Sequence, residues 1–104
     1  MPKLTISVDH QLGRQEAAAR LERLLDKIKS RNADHMKNYQ EERTESGARF
    51  SFSVMGFAVQ GEVRVLDAAV QVDCELPLAA MLFKGRIERD IREQLEKTLR
   101  DESP

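Results

Sequence analysis

Apolar and polar residues alternate strictly over Lys3-Leu4-Thr5-Ile6-Ser7-Val8. A period of two puts Leu4, Ile6 and Val8 on one face and Lys3, Thr5 and Ser7 on the other, which predicts a half-buried strand. Asp9-His10-Gln11 connects it to a segment of different period. From 14 to 30, Ala17, Leu21, Leu24, Leu25 and Ile28 recur at spacings of three and four, with charged residues between them. That stripe predicts an amphipathic helix lying on a sheet. Gly13 is the candidate N-cap, and Glu16 falls near the positive end of the helix.

Ser30-Arg31-Asn32-Ala33-Asp34 ends the helix. Met36 to Thr44 reads either as a polar edge strand around Tyr39 or as an ordered loop. An edge strand tolerates charge, and charge keeps it from pairing with other chains. Glu45-Ser46-Gly47 turns the chain. Three further alternating runs follow, at 48–54, 57–66 and 69–76. Their apolar members are Ala48, Phe50, Phe52 and Val54; Phe57, Val59, Val63 and Val65; and Val70, Val72, Cys74 and Leu76. Met55-Gly56 and Asp67-Ala68 are the short turns between them, so the runs form an antiparallel meander with one apolar face. Gly61 falls on that face, where a missing side chain permits a bend or a close approach of another backbone.

Pro77 marks the turn into a last helix, from about Ala79 to Arg100. Its apolar positions Phe83, Ile87, Ile91, Leu95 and Leu99 are four apart, and at 100° per residue such a stripe drifts by about 40° per step. A flat partner loses contact with it; a curved sheet or a second copy of the helix does not. Gly85 costs about 1 kcal/mol relative to Ala in a helix, which implies close packing or a local bend there. The order is β-α-β-β-β-β-α. The predicted fold is a two-layer α+β domain spanning 1–104, with a curved antiparallel sheet of four to five strands and two helices on one face. A helix-grip-like variant is a further option.

Composition narrows the function. Apolar residues make up 40% and charged residues 34%, a soluble balance, and the longest apolar run, Leu76 to Phe83, is far short of a membrane span. The chain opens without a signal-peptide apolar block and carries one cysteine, Cys74, so a cytoplasmic location is expected. Seventeen basic and 18 acidic residues leave a net charge of −1, which argues against nucleic acid as a partner.

Candidate chemistry is sparse. His10 and His35 sit in polar connectors, where surface or capping roles are expected. Cys74 lies on the inward face of a strand and reads as a small apolar residue. One Cys and two His without CxxC or HxxxH spacing do not make a zinc site. Glu41-Glu42 and Asp101-Glu102 read as solvated charge. No cofactor is expected, and there is no Gly-rich phosphate loop: Gly56 and Gly61 lie in a hairpin, not between a strand and a helix. Phe50 and Phe52 could stack bases on an open sheet face, but their register with the other apolar positions assigns them to the core. Met81, Leu82 and Phe83 cover about 200° of a helix and cannot all face one sheet. Either Leu82 or Met81 packs on the first helix or a dimer mate, or one of the three serves, with Leu78, a lipid-sized cavity or an apolar surface. Lys84, Arg86 and Arg89 form a basic rim beside them, suited to an anionic headgroup or carboxylate, or balanced by Glu88, Asp90 and Glu93 as helix ion pairs.

The stretch Glu75-Leu76-Pro77-Leu78-Ala79-Ala80-Met81-Leu82-Phe83-Lys84-Gly85-Arg86-Ile87-Glu88, followed by Ile91 and Leu95, resembles the C-terminal signature of the polyhydroxyalkanoic acid system protein family. His10-Gln11-Leu12-Gly13 leading to Ala17 fits the front of that family, and Gly47 to Phe52, Gly56-Phe57 and Gly61 fit its middle. The resemblance implies a bacterial protein similar to ones encoded near polyhydroxyalkanoate storage genes, a family without an established activity, and brings no catalytic residue to carry over. The expected function is a non-catalytic accessory protein that binds a polyhydroxyalkanoate granule or an acyl or lipid-like ligand. The alternatives are a homodimeric adaptor acting through protein contacts, and an enzyme on acyl substrates with Asp9, His10 or Cys74 in a cleft.

Overall fold

The computed structural model describes residues 3–31, 34, 36–54 and 56–100. The elements run β1 (Lys3–Asp9), α1 (Arg14–Arg31), β2 (Lys37–Thr44), β3 (Gly47–Val54), β4 (Phe57–Val65), β5 (Ala69–Glu75), a 3-10 helix (Leu78–Phe83) and α2 (Lys84–Leu99). The five strands form one antiparallel sheet in the order β1-β5-β4-β3-β2. This is the expected α+β architecture. His35, Met55 and the Asp101-Glu102 pair lie outside the described residues.

Alternation decides which face is covered. Leu4, Ile6 and Val8 of β1 stand opposite Cys74, Val72 and Val70 of β5, and all six are buried. Val63 and Val65 continue the layer on β4. Ala17 and Leu21 of α1 and Leu95 and Leu99 of α2 close over it, so both helices share one face and one core. Among these elements α2 packs along β1, and α1 packs on α2 and β4. The two helices are also fastened at one end. Arg20 of α1 donates to the carbonyl oxygens of Thr98 (3.3 Å) and Arg100 (2.7 Å), which fall where α2 has run out of intrahelical partners.

Gly13 caps α1: its carbonyl accepts from the Ala17 N–H at 3.1 Å, and its φ of 80° is one that a side chain would disfavour. The segment read as either strand or loop is the edge strand β2. A register shift between Lys37 and Gln40, with Asn38 at φ 55°, interrupts its pairing with β3. Such a bulge, added to the charge, protects the open edge. On β2 the covered face is itself polar. Glu41 and Arg43 stand opposite Phe50 and Ala48, and Arg43 forms an ion pair with Glu22 of α1. Tyr39 stacks on Phe52, with ring centroids 6.2 Å apart, and donates to Glu41 at 2.8 Å. Burial, then that hydrogen bond, pushes the Tyr39 hydroxyl well above its ordinary pKa.

The opposite face of the sheet is solvated and laced with charge. Arg49 pairs with Glu62 (3.0 Å), Glu62 with Arg64 (3.3 Å), and Arg64 with Asp73 (2.9 Å).

Candidate functional site

Pro77 sets the direction in which the chain leaves β5. Its backbone is extended (φ −66°, ψ 154°), and its carbonyl accepts from the Ala80 N–H at 2.9 Å, closing the first 3-10 turn. The long helix predicted from about Ala79 therefore begins as six residues of 3-10 helix and becomes α-helical only at Lys84. Side chains three apart eclipse one another in a 3-10 helix, so its six residues form three rows. Ala80 packs against the core. Leu78, Leu82 and Phe83 face solvent, 79%, 88% and 58% exposed, and Met81 is half-buried. The option that Leu82 packs on α1 is thereby excluded.

The drift of the α2 stripe explains why the cover fails here. Leu95 and Leu99 are buried, Ile87 and Ile91 are partly buried against the core, and Phe83 is out. Four steps of about 40° turn the first position of such a stripe nearly to the far side of the helix from the last. Gly85 has open space around it: no atom lies within 4 Å of where a Cβ would stand. The close packing expected there is absent, and the change of helix type occurs one residue earlier.

The charge around the block has one sign. No Asp or Glu occurs from Leu76 to Ile87, whereas Lys84 and Arg86 do. Arg86 reaches Asp90 only at 4.0 Å. Lys84 and Arg89 form no ion pair among the described residues, so the expected balance by Glu88, Asp90 and Glu93 is incomplete: Glu88 pairs with Arg92 instead, at 3.8 Å. In α1 the order is conventional, with Glu16 in the first turn and Lys29 and Arg31 in the last. In α2 the first turn has no acid and no side-chain cap, and its cations sit at the helix end where the macrodipole disfavours them.

The other candidates fall elsewhere. His10 is buried, not at the surface. Its Nδ1 accepts from the Leu12 N–H (3.2 Å), which leaves Nε2–H to donate to the Leu66 carbonyl (3.1 Å). It ties the β1–α1 connector to the β4–β5 turn, a contact across 56 residues that no local pattern could announce. Cys74 is buried and free, and burial, then the Asp73 charge, pushes its thiol pKa up. The register sets Leu4 against Cys74 and Asp9 against Ala69. Cys74 and the Asp9-His10 pair are thus separated by five strand residues or more, about 15 Å, and Cys74 does not join Asp9 and His10 in one cleft. Phe50 and Phe52 lie on the helix-bearing side, half-buried, with ring centroids 6.2 Å apart. Phe50 packs on the core as expected, while Phe52 extends the stack to Tyr39.

The described residues form open clefts, of which three stand out. Two lie over the sheet and share Arg49, Gln60 and Gly61 in their lining, and one lies between α1 and Thr98. None of these three is lined by Leu78, Met81, Leu82 or Phe83; Leu78, Leu82 and Phe83 project from the surface by their exposure. Among the described residues no group of three His, Cys, Asp or Glu could hold a metal ion, and no helix is long and apolar enough to cross a membrane.

Two comparisons with known proteins were empty: no curated protein and no solved structure matches the chain. A family model, described as "Putative polyhydroxyalkanoic acid system protein", matches residues 4–99.

Proposed function

The chain belongs to the polyhydroxyalkanoic acid system protein family, and from that premise we propose that it is a non-catalytic accessory protein that docks on an apolar surface of that system, the polyester granule, through Leu78, Leu82 and Phe83. The observation that carries this reading is the exposure of three bulky apolar side chains within six residues. Scattered exposed apolar residues are ordinary, but three such side chains within two turns of 3-10 helix support a contact surface. Since the block projects, a surface suits it better than a single acyl chain held in a cavity.

The size of the block fits reversible adsorption. Burying a Leu or Phe side chain fully contributes about 1.5–3 kcal/mol, so the three, each already partly covered, offer roughly 5 kcal/mol gross. Loss of translational and rotational freedom offsets much of that. One copy would hold weakly, and occupancy would follow the abundance of polyester surface.

The test is pelleting of the purified protein with polyhydroxyalkanoate particles, beside the variant Leu78→Ser/Leu82→Ser/Phe83→Ser. The expected result is co-sedimentation of the unmodified protein and release of the variant. Failure of the unmodified protein to pellet, or equal pelleting of both, overturns the proposal.

A second reading, a homodimeric adaptor, draws on the same exposed side chains, because a second copy could cover them. Native mass spectrometry separates the two. A dimer dispersed by the triple variant would assign the block to the adaptor; a monomer at micromolar concentration leaves it to the granule.

A further inference from the structure

We propose that the surface met by the apolar block is an anionic lipid surface, with Leu78, Leu82 and Phe83 entering the acyl region and Lys84, Arg86 and Arg89 meeting the headgroup phosphates. This rests on the docking reading above and names its partner. The argument is complementarity of charge. From Leu76 to Ile87 the chain carries Lys84 and Arg86 and no acid, and Arg89 follows between Glu88 and Asp90, in a chain with a net charge of −1. Lys84 and Arg89 have no ion-pair partner among the described residues, and the Arg86–Asp90 pair is exposed and long at 4.0 Å. A bare polyester surface makes no use of this arrangement, whereas phosphate does.

The geometry suits an interface. Lys84 follows Phe83 directly, and Arg86 and Arg89 extend less than two turns beyond it. Long basic side chains can lay their methylene stems along an apolar boundary while the charged ends stay at headgroup level. Arg86 and Arg89 lie about 60° apart on α2, with Lys84 nearer the other side, and a cation beside an anionic leaflet contributes about fivefold in partitioning, so the two that share a face contribute roughly 25-fold. That factor should fall as salt shortens the range of the attraction.

The experiment is co-sedimentation of the full chain with vesicles of phosphatidylcholine alone, with vesicles of phosphatidylcholine and phosphatidylglycerol, and with lipid-free polyester particles. The expected result is binding to the phosphatidylglycerol vesicles roughly 25-fold tighter than to neutral vesicles, weakened by salt. Lys84→Gln/Arg86→Gln/Arg89→Gln should abolish that preference while keeping its hold on the polyester. Equal partitioning onto both vesicles, or a preference unchanged in the triple variant, overturns the inference; if the particles still bind, the granule reading stands. No binding to vesicles or particles removes both.

Discussion

The ring of Phe50 on β3 lies across Gly61 on β4, so close that a Cβ on Gly61 would stand 2.5 Å from the ring's Cζ and 3.0 Å from the Asp73 carbonyl oxygen. The two residues are directly opposed in the ladder. The glycine admits an aromatic ring where a meeting of two backbones was one expectation. Phe50 is not free to swing away, since it packs on the core and stacks on Phe52. Gly61→Ala should therefore destabilise the fold by about 1–3 kcal/mol through overpacking. The penalty should shrink in a Phe50→Leu background, because the two sites share one space. Urea unfolding of the four proteins of this cycle measures both effects.

His10 offers a second test of a contact that only the folded chain makes. Each ring nitrogen has a backbone partner, and the site is buried. His10→Ala leaves the Leu66 carbonyl and the Leu12 N–H without them. Each buried group left unsatisfied costs about 1–3 kcal/mol. The urea midpoint should fall with little change in slope. In the unmodified protein, nitrogen-15 shifts should report the Nε2–H tautomer.

What could be read in advance, and what could not, follows from the range of the forces involved. β1 and the β3–β5 meander were legible because each strand has one buried and one solvated face, and that contrast is written residue by residue. β2 was ambiguous because its covered side carries Glu41 and Arg43, matched by Glu22 of α1 and not by apolar side chains. The start of the last helix was misplaced because Leu78 to Phe83 satisfies helical propensity whether the turn is α or 3-10. Leu78, Leu82 and Phe83 could be singled out as too many apolar residues for one face, but their exposure depends on how far α2 has turned from the sheet. The His10 and Arg20 contacts join residues 56 to 80 apart, and nothing near either residue signals them.

Asp73 should govern part of the acid limb of stability. The Thr5 hydroxyl, directly across the β1–β5 ladder, and then Arg64 hold its carboxyl below the ordinary carboxylate range, against partial desolvation. A pKa lowered by folding means that the native state favours the deprotonated form. The stabilisation is full above the unfolded value near 4 and is lost as pH falls through the lower native value. Asp73→Asn should be less stable than the unmodified protein at neutral pH, and the gap should close as pH falls below about 4. Urea midpoints of both proteins across that range provide the measurement; a gap independent of pH would assign the loss to packing.

The burial gradient along the last helical segment separates residues that hold the fold from residues that serve a surface. Leu95 is buried in the core and Leu82 is 88% exposed, although both are leucines on one continuous run of helix. Leu95→Ala should cost about 2–5 kcal/mol, the loss of transfer energy together with a cavity. Leu82→Ala removes little that the fold uses and should stay within about 0.5 kcal/mol. If Leu82 enters an apolar phase on docking, the same truncation should weaken particle binding roughly tenfold, since the methyl and methylene groups removed no longer leave water. Stability and pelleting measured on both variants should thus diverge, with Leu95→Ala unstable and Leu82→Ala stable but released. Equal destabilisation by both would place Leu82 in a packed contact and take the docking surface away from this turn.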